Sequence, residues 1–431
     1  MYSMKNWSGY LKWTPSDVYL PNTENEIQEV VLKALNAKKK VRIIGSGHSF
    51  TPLSLTDDFL VSLDNYQGII DVDKEKLTAT VKAGTKLHLL NDLLFEHGLA
   101  MPNMGDINQQ SIAGAISTGT HGTGTAFGNI STQISKIKFV NGKGEIVSCS
   151  ETDKPELFKA AQVSLGTLGI ITEITLKCVP TYKLELIIDK ERLDTVLENY
   201  QELNKRYRNF EFYWFPNTPY VMLKLVNLTN DEPDKSSFSS YVQEMVLENY
   251  TFKIACEVSK VFPSLTRKIS GIAADTIGKH RKVNHSHKVF ITPRLVRFNE
   301  MEYNIPVEAY REVKKDIVNW INKHNRTVLF PLENRFVQGD DIYLSPAYQR
   351  DSAYIAAHVY NKKEPTKYFR ALEEIFLAYN GRPHWGKMNT LTYDLAQKKY
   401  PMFDAFTKLR AEQDPDQIFL SDYLKTLFIG Y

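Results

Sequence analysis

A short β-branched run leads into a glycine turn that carries a histidine: Val41-Arg42-Ile43-Ile44-Gly45-Ser46-Gly47-His48-Ser49-Phe50. No other feature narrows the possible folds as much. Glycines admit left-handed backbone angles and let main-chain N–H groups close in on an anion. A strand ending in such a turn can cradle a diphosphate and hold an imidazole beside whatever the diphosphate belongs to. The expectation is a dinucleotide cofactor that the ring is placed to tether. A Rossmann fingerprint needs G-x-G-x-x-G opening a helix. Here the third glycine position is Phe50 and Pro52 follows at once, so the spacing argues against that fold.

A chain of 431 residues can bury a large core and is expected to form two domains. Its net charge of +3 gives no global pull toward nucleic acid or an anionic membrane. No apolar run approaches the length of a bilayer span, and the opening Met1–Trp7 lacks the apolar core of a signal peptide. A cytoplasmic location is the expectation. Cys149, Cys178 and Cys256 match no metal-ligand spacing, so they read as buried, reduced thiols and no metal is expected.

Periodicity gives the elements. Thr23-x-x-Glu26 reads as a capping box before Ile27, Val30, Val31 and Ala34 at helical spacing, with Lys38 to Lys40 as a solvated helix end. Strands are expected at 41–44, 59–63, 69–72 and 77–81. A helix through Leu87, Leu90 and Leu94 should end at Gly98. Asn141-Gly142-Lys143-Gly144 marks a hairpin, 157–163 reads as helix, and Ile174, Leu176 and Cys178 alternate as a half-buried strand. Beyond Pro180 the texture changes. Residues 191–207 read as a charged helix, 211–216 as an aromatic strand and 230–240 as a polar loop. Lys279–Lys288 is basic, with His280, His285 and His287, and reads as a solvated loop ahead of a zinc or nucleic-acid site. Strands mixed with helices in both halves indicate an α+β protein.

Two further clusters carry chemistry. Ser111-Ile112-Ala113-Gly114-Ala115-Ile116-Ser117-Thr118-Gly119-Thr120-His121-Gly122-Thr123-Gly124 is dense in small and hydroxyl side chains that let a backbone lie against a flat ring or a pyrophosphate. Late in the chain, Glu333-Asn334-Arg335 puts a carboxylate and a guanidinium on one face of a strand. Tyr354 to Val359 places His358 near the end of an apolar strand, and Pro383-His384-Trp385-Gly386-Lys387 gathers an imidazole, an indole and an amine.

Together these residues resemble the sugar-1,4-lactone and alditol oxidases among flavoproteins of the vanillyl-alcohol-oxidase type. The matching stretches are the loop 45–49, the segment 113–122, Glu211 to Pro216, Asn299-Glu300-Met301-Glu302-Tyr303, Glu333-x-Arg335, His384-Trp385-Gly386-Lys387 and Asp414-Pro415-Asp416-Gln417-Ile418-Phe419. The resemblance implies an FAD-binding domain over 1–180, a substrate domain over 181–385 built on an antiparallel sheet with flanking helices, and a C-terminal segment, 386–431, that returns to the FAD domain. It implies FAD covalently linked through His48. Ile43, Ile44, Gly45, Ser46, Gly47, Ser49, Ser111, Ile116, Gly119, Thr123, Gly124, Thr125, Ile170 and His384 would contact the cofactor.

The reaction implied is oxidation of a sugar lactone or polyol carbinol, with molecular oxygen as acceptor and hydrogen peroxide as product. Glu333 and Ser111 would bind substrate hydroxyls, and Arg335 would be a permanent cation. Lys387, desolvated beside that cation, would accept a proton, with His358 as its possible helper. A dehydrogenase of the same fold that reduces a quinone or cytochrome is the nearest rival. A non-catalytic nucleotide-binding protein is the remote one, and it has no use for so many reactive polar groups.

Overall fold

The computed structural model describes residues 3–235, 249–291 and 296–430. Thr23 caps the helix Glu24–Ala37, its hydroxyl accepting from the Glu26 N–H at 3.2 Å, while the Glu26 carboxylate reaches back to the Asn22 N–H at 2.7 Å. The lysines that follow are not a solvated helix end. Lys38 turns the chain with φ 53°, Lys39 pairs with Asp58 at 2.6 Å, and Lys40 Nζ donates to the Gln417 carbonyl at 2.8 Å. The helix has already stopped at Ala37, so the last two lysines lie along the body of the protein.

Val41–Ile44 then pairs in parallel with Phe59–Ser62, which pairs in parallel with Asp17–Tyr19. A five-stranded antiparallel sheet follows, in the order Ile146–Ser150, Ile134–Asn141, Gly169–Lys177, Thr78–Lys82, Ile69–Asp73. Its hairpin joins Ile146 to Val140 across the Asn-Gly-Lys-Gly turn. The first hydrophobic core lies among these sheets and the helices Glu24–Ala37, Leu87–Glu96 and Pro155–Gln162. It also takes in Ile342, Tyr343 and Leu344, then Trp385 and a series of residues out to Phe428.

The second half is built on eight antiparallel strands in the order His280–His285, Lys183–Arg192, Tyr220–Thr229, Asn209–Trp214, Leu332–Val337, Ser352–Tyr360, Phe298–Pro306, Arg382–Pro383. Successive side chains of a strand point to opposite faces. Phe210, Phe212 and Trp214, Leu332 and Phe336, Met301, Tyr303 and Ile305 all pack with the helices Leu193–Arg206, Tyr310–His324 and Thr366–Ala378. The alternate residues Glu211, Tyr213, Glu333, Arg335, Glu300, Glu302 and Asn304 face the other way, and they are polar.

Two expectations need correction. The charged helix begins at Leu193, because the preceding strand runs on to Arg192. Lys279–Lys288 is not a solvated loop: His280–His285 is an edge strand paired with 183–188, and Ser286–Val289 is a helical turn. Its charge is locally matched, with Arg281 Nε 2.5 Å from Glu185 and its other nitrogen on Asp231. Residues 231–235 carry no helix or strand, and 236–240 of the expected polar loop lie outside the described residues.

Candidate active site

The strand Val41–Ile44 delivers the loop 45–49 to the edge of a cleft with about 1380 Å³ of empty volume, part of it open to solvent. Gly47 has φ +66°, and a Cβ on Gly45 would lie 2.6 Å from Ser111 Oγ. The two glycine segments therefore touch, and only a bare backbone fits between them. Ser46 Oγ donates to the Gln109 carbonyl and accepts from Lys86 Nζ at 3.0 Å. That ammonium, also 2.6 Å from Asp64, puts a cation beside the loop. Gly84, Gly114, Gly166 and Gly169 continue the glycine-rich lining. A long cradle of backbone, small residues and one nearby cation suits an extended dinucleotide such as FAD.

Ile43, Ile44, Gly45, Ser46, Gly47, His48, Ser49, Ser111 and His384 line this cleft. Ile116, Gly119, Thr123, Gly124, Thr125 and Ile170 do not. Ile116 and Ile170 are fully buried in the first core. Gly119 turns the chain with φ +71°, and a Cβ there would meet Pro346 and Val163. Thr123 and Gly124 hold the second sheet instead: the Thr123 hydroxyl donates to the Phe210 carbonyl, and the Gly124 N–H donates to that of Phe336 at 2.7 Å. Thr125 is exposed. Hydroxyl-rich sequence cannot separate a segment that touches a cofactor from one that joins two halves of a protein.

His48 stacks on Trp7 with ring centroids 5.7 Å apart. Burial, then the charges of Lys387 and Lys86, push its pKa down to about 4 against the pull of Glu300. The imidazole is therefore neutral at physiological pH, the form in which it is a nucleophile. His384 is also held neutral, at about 3, chiefly by burial. Its Nδ1 accepts from the Gly386 N–H at 3.0 Å, which leaves Nε2 as the protonated nitrogen.

On the polar side of the eight-stranded sheet, strand register assembles two clusters; Glu300 reaches the cleft lining together with Lys387, whereas Glu333, Arg335 and His358 stand behind it. Glu211 stands opposite Arg335 on one neighbour and opposite Lys224 on the other. Arg335 Nε donates to Glu211 at 2.7 Å, and its Nη2 lies 2.6 Å from Glu333 and 3.2 Å from Asp106. Lys224 is 2.9 Å from Glu211, and the Tyr213 hydroxyl bridges Glu333 and Glu211. Burial alone would raise Glu211, but Lys224 and Arg335 outweigh it and hold it at about 2. Arg335, opposed by burial but ringed by carboxylates, is raised well above its usual value. It is a fixed cation.

The second cluster brings Glu300 opposite His358, with Glu300 Oε1 3.5 Å from His358 Nε2. Lys387 Nζ is 2.5 Å from the other oxygen of Glu300. Burial works against the Glu300 charge, yet Lys387 and His358 hold it at about 2. Burial likewise opposes the Lys387 charge, and Glu300 and Glu302 more than restore it. Lys387 was expected to be desolvated beside the cation of Arg335; its partner here is the carboxylate of Glu300, which favours its charged form. Glu302 pairs with His121 Nε2 at 3.2 Å, and the His121 ring stacks on Tyr354 at 3.6 Å.

Sequence reasoning gave no role to Glu300, Glu302, Glu211, Asp106, Lys224, Tyr213 or His121. The available signal was the interruption of apolar strands by carboxylates at every second position, as in Glu300-x-Glu302. Asp106 and Lys224 gave none, because each enters only through the pairing of distant segments.

A glycine cradle on one half of the chain, closed by the polar face of an antiparallel sheet on the other, defines a two-part FAD-binding fold of the vanillyl-alcohol-oxidase type. A cholesterol oxidase from Brevibacterium sterolicum superposes with a TM-score of 0.84 over 99% of this chain and 96% of its own, at 15% identity. The family model for an FAD binding domain matches residues 15–150, and that for D-arabinono-1,4-lactone oxidase matches 174–427. The chain belongs to the D-arabinono-1,4-lactone oxidase family. It is 36% identical to an L-gulono-1,4-lactone dehydrogenase of Mycobacterium tuberculosis over 97% of both chains. It is 34% identical to the mouse L-gulonolactone oxidase over 98% of both. A putative D-arabinono-1,4-lactone oxidase of Neurospora crassa is 30% identical, over 97% of this chain and 84% of the relative.

Proposed function

We propose that this protein is a cytoplasmic FAD-dependent oxidase of a sugar-1,4-lactone of the gulono-, galactono- or arabinono- type, or of a related alditol. The observation that carries the reading is the cleft itself: a glycine cradle with a neutral imidazole at one end, faced by buried Glu300 and His384 and by half-buried Lys387. The FAD-binding part comprises residues 1–180 and 386–431, and residues 181–385 bind substrate. His48 bonds covalently to the cofactor, and residues 43–49 with Ser111 hold it. FAD held there would supply a hydride acceptor for the substrate carbinol, with oxygen as the final electron acceptor and hydrogen peroxide as the product.

The chain's own groups do the rest. Lys387 keeps its proton and supplies positive charge in a desolvated site, where it counts for most. Glu333, oriented by Arg335 and Tyr213, accepts hydrogen bonds from the hydroxyls of a polyhydroxylated substrate. The hydroxyl proton that must leave the carbinol goes to His358, which Glu300 orients. Ser111 touches both cofactor and substrate. A non-catalytic nucleotide binder has no need of so many charged groups beside its ligand, since each costs desolvation.

A dehydrogenase is the second reading, favoured by the name of the Mycobacterium tuberculosis relative. Anaerobic addition of sugar lactones and polyols to the purified yellow protein tests the reaction. The expected result is bleaching of the flavin by an aldonolactone; no bleaching by any of them overturns the reading. Readmitting air and assaying peroxide, beside a dye-reduction assay, separates oxidase from dehydrogenase.

A further inference from the structure

The helices Asn249–Val261 and Thr266–Asp275 form a hairpin closed by the single turn Pro263–Leu265. Its inner face is occupied: Phe252, Ala255, Cys256 and Ile269 pack with Phe298, Phe330 and Tyr360. Ser259 and Thr266 share a hydrogen bond of 2.7 Å that pins the base of the turn. The outer face is apolar, and no described residue covers it. Val261 is 64% exposed, Phe262 57% and Leu265 38%, with Ile254 at 64% and Ile272 at 65%. These are five of the twelve large exposed hydrophobics among the described residues, gathered on one hairpin. From Lys260 to Lys268 every residue but Thr266 is exposed. A projecting apolar tip of this kind marks an interaction surface.

The rim of the tip is cationic. Lys253, Lys260, Arg267 and Lys268 are all exposed. Among the described residues, the nearby carboxylates are committed elsewhere, Glu257 to Tyr360 and Lys362, and Asp275 to Lys190. We infer that this hairpin tip docks on an anionic phospholipid surface. Val261, Phe262 and Leu265 enter the boundary between headgroups and acyl chains, and Lys260, Arg267 and Lys268 stay among the phosphates. Helices of 13 and 10 residues are too short to cross a bilayer, so the contact lies on the membrane and does not span it. A second copy of the chain fits this face poorly. A two-fold contact would set the same cations against themselves, and charged residues are depleted from the cores of protein interfaces. The surface stands apart from the redox reading and fails or holds independently of it.

The test is co-sedimentation of the full, FAD-loaded chain with phosphatidylcholine vesicles, with and without phosphatidylglycerol, at low and high salt. The protein should pellet with the anionic vesicles, and salt should release it. Val261→Ser/Phe262→Ser and Lys260→Glu/Arg267→Glu/Lys268→Glu should each weaken binding at least about tenfold. Flavin absorbance and melting temperature should not change in either variant. Absence of binding to the anionic vesicles overturns the inference, as does binding that both variants retain. Equal binding to phosphatidylcholine alone overturns the role of the cations. Concentration-dependent self-association that Val261→Ser/Phe262→Ser removes, without vesicle binding, assigns the face to a second copy instead.

Discussion

Lys387 and Glu300 define each other. The carboxylate sits well below its usual 4.5, so its share of stability is complete above that value and is lost as the pH falls through about 2. The ammonium is raised above 10.5, so its share is complete below that value and is lost only in stronger base. Across the physiological range both groups of the pair are charged. Lys387→Met leaves Glu300 buried without its cation, a loss of about 3 kcal/mol where both would be charged. The melting temperature of the variant should fall most at neutral pH, and the gap to the parent should close as the pH drops below 4.5. A gap that does not change with pH would contradict the pairing. Arg42 shows the same economy without a carboxylate. Its Nε donates to Leu53 O at 2.7 Å, its Nη1 to Gly166 O at 2.9 Å and Phe419 O at 2.6 Å, and its Nη2 to Leu165 O at 2.7 Å. Arg42→Met strands four buried carbonyls and should cost about 3–5 kcal/mol in urea unfolding. A loss below about 1 kcal/mol would mean that water takes the place of the guanidinium.

At the level of elements, strands did most of the placing, and this is where sequence reading succeeded and stopped. The capping box at Thr23, the strand into Gly45 and the hairpin at Asn141 are local, because each is written in residues a few positions apart. The clusters around Arg335 and Glu300 are not. Alternation in 211–213, 300–302 and 333–335 gives the face each residue points to, but only register brings Glu211 opposite Arg335 and Glu300 opposite His358. The basic stretch at 279–288 misled for the same reason, since the acids that match it, Glu185 and Asp231, lie 50 or more residues away. The contact between the two glycine segments makes a separate prediction. Gly45→Ala drives a methyl group into Ser111 Oγ and should lower the flavin-to-protein ratio of the purified enzyme. Adding Ser111→Ala to that variant should restore part of it, because the clash is with the hydroxyl removed. If the double variant retains no more flavin than Gly45→Ala, the two segments do not meet as described.

The whole molecule is held together where it works. The C-terminal run returns to the first core through Trp385, Phe403, Phe406 and Phe428, carrying Lys387 to the mouth of the cleft. Main-chain bonds fasten it, the Val41 N–H donating to the Ile418 carbonyl at 2.8 Å and the Gly142 N–H to the Gln413 carbonyl at 2.9 Å. Across the junction, the loop bearing His121 and Thr123 meets Glu302 and Phe336 of the sheet, and Asp106 meets Arg335. In the function proposed above, binding and chemistry draw on groups from opposite halves, with the redox ring between them.

Peptide mapping by mass spectrometry tests that placement most directly. After proteolysis of the purified yellow protein, the peptide containing His48 should carry the added mass of FAD, and His48→Ala should abolish the adduct. Flavin released entirely free by acid, or found attached to any other residue, would contradict the account.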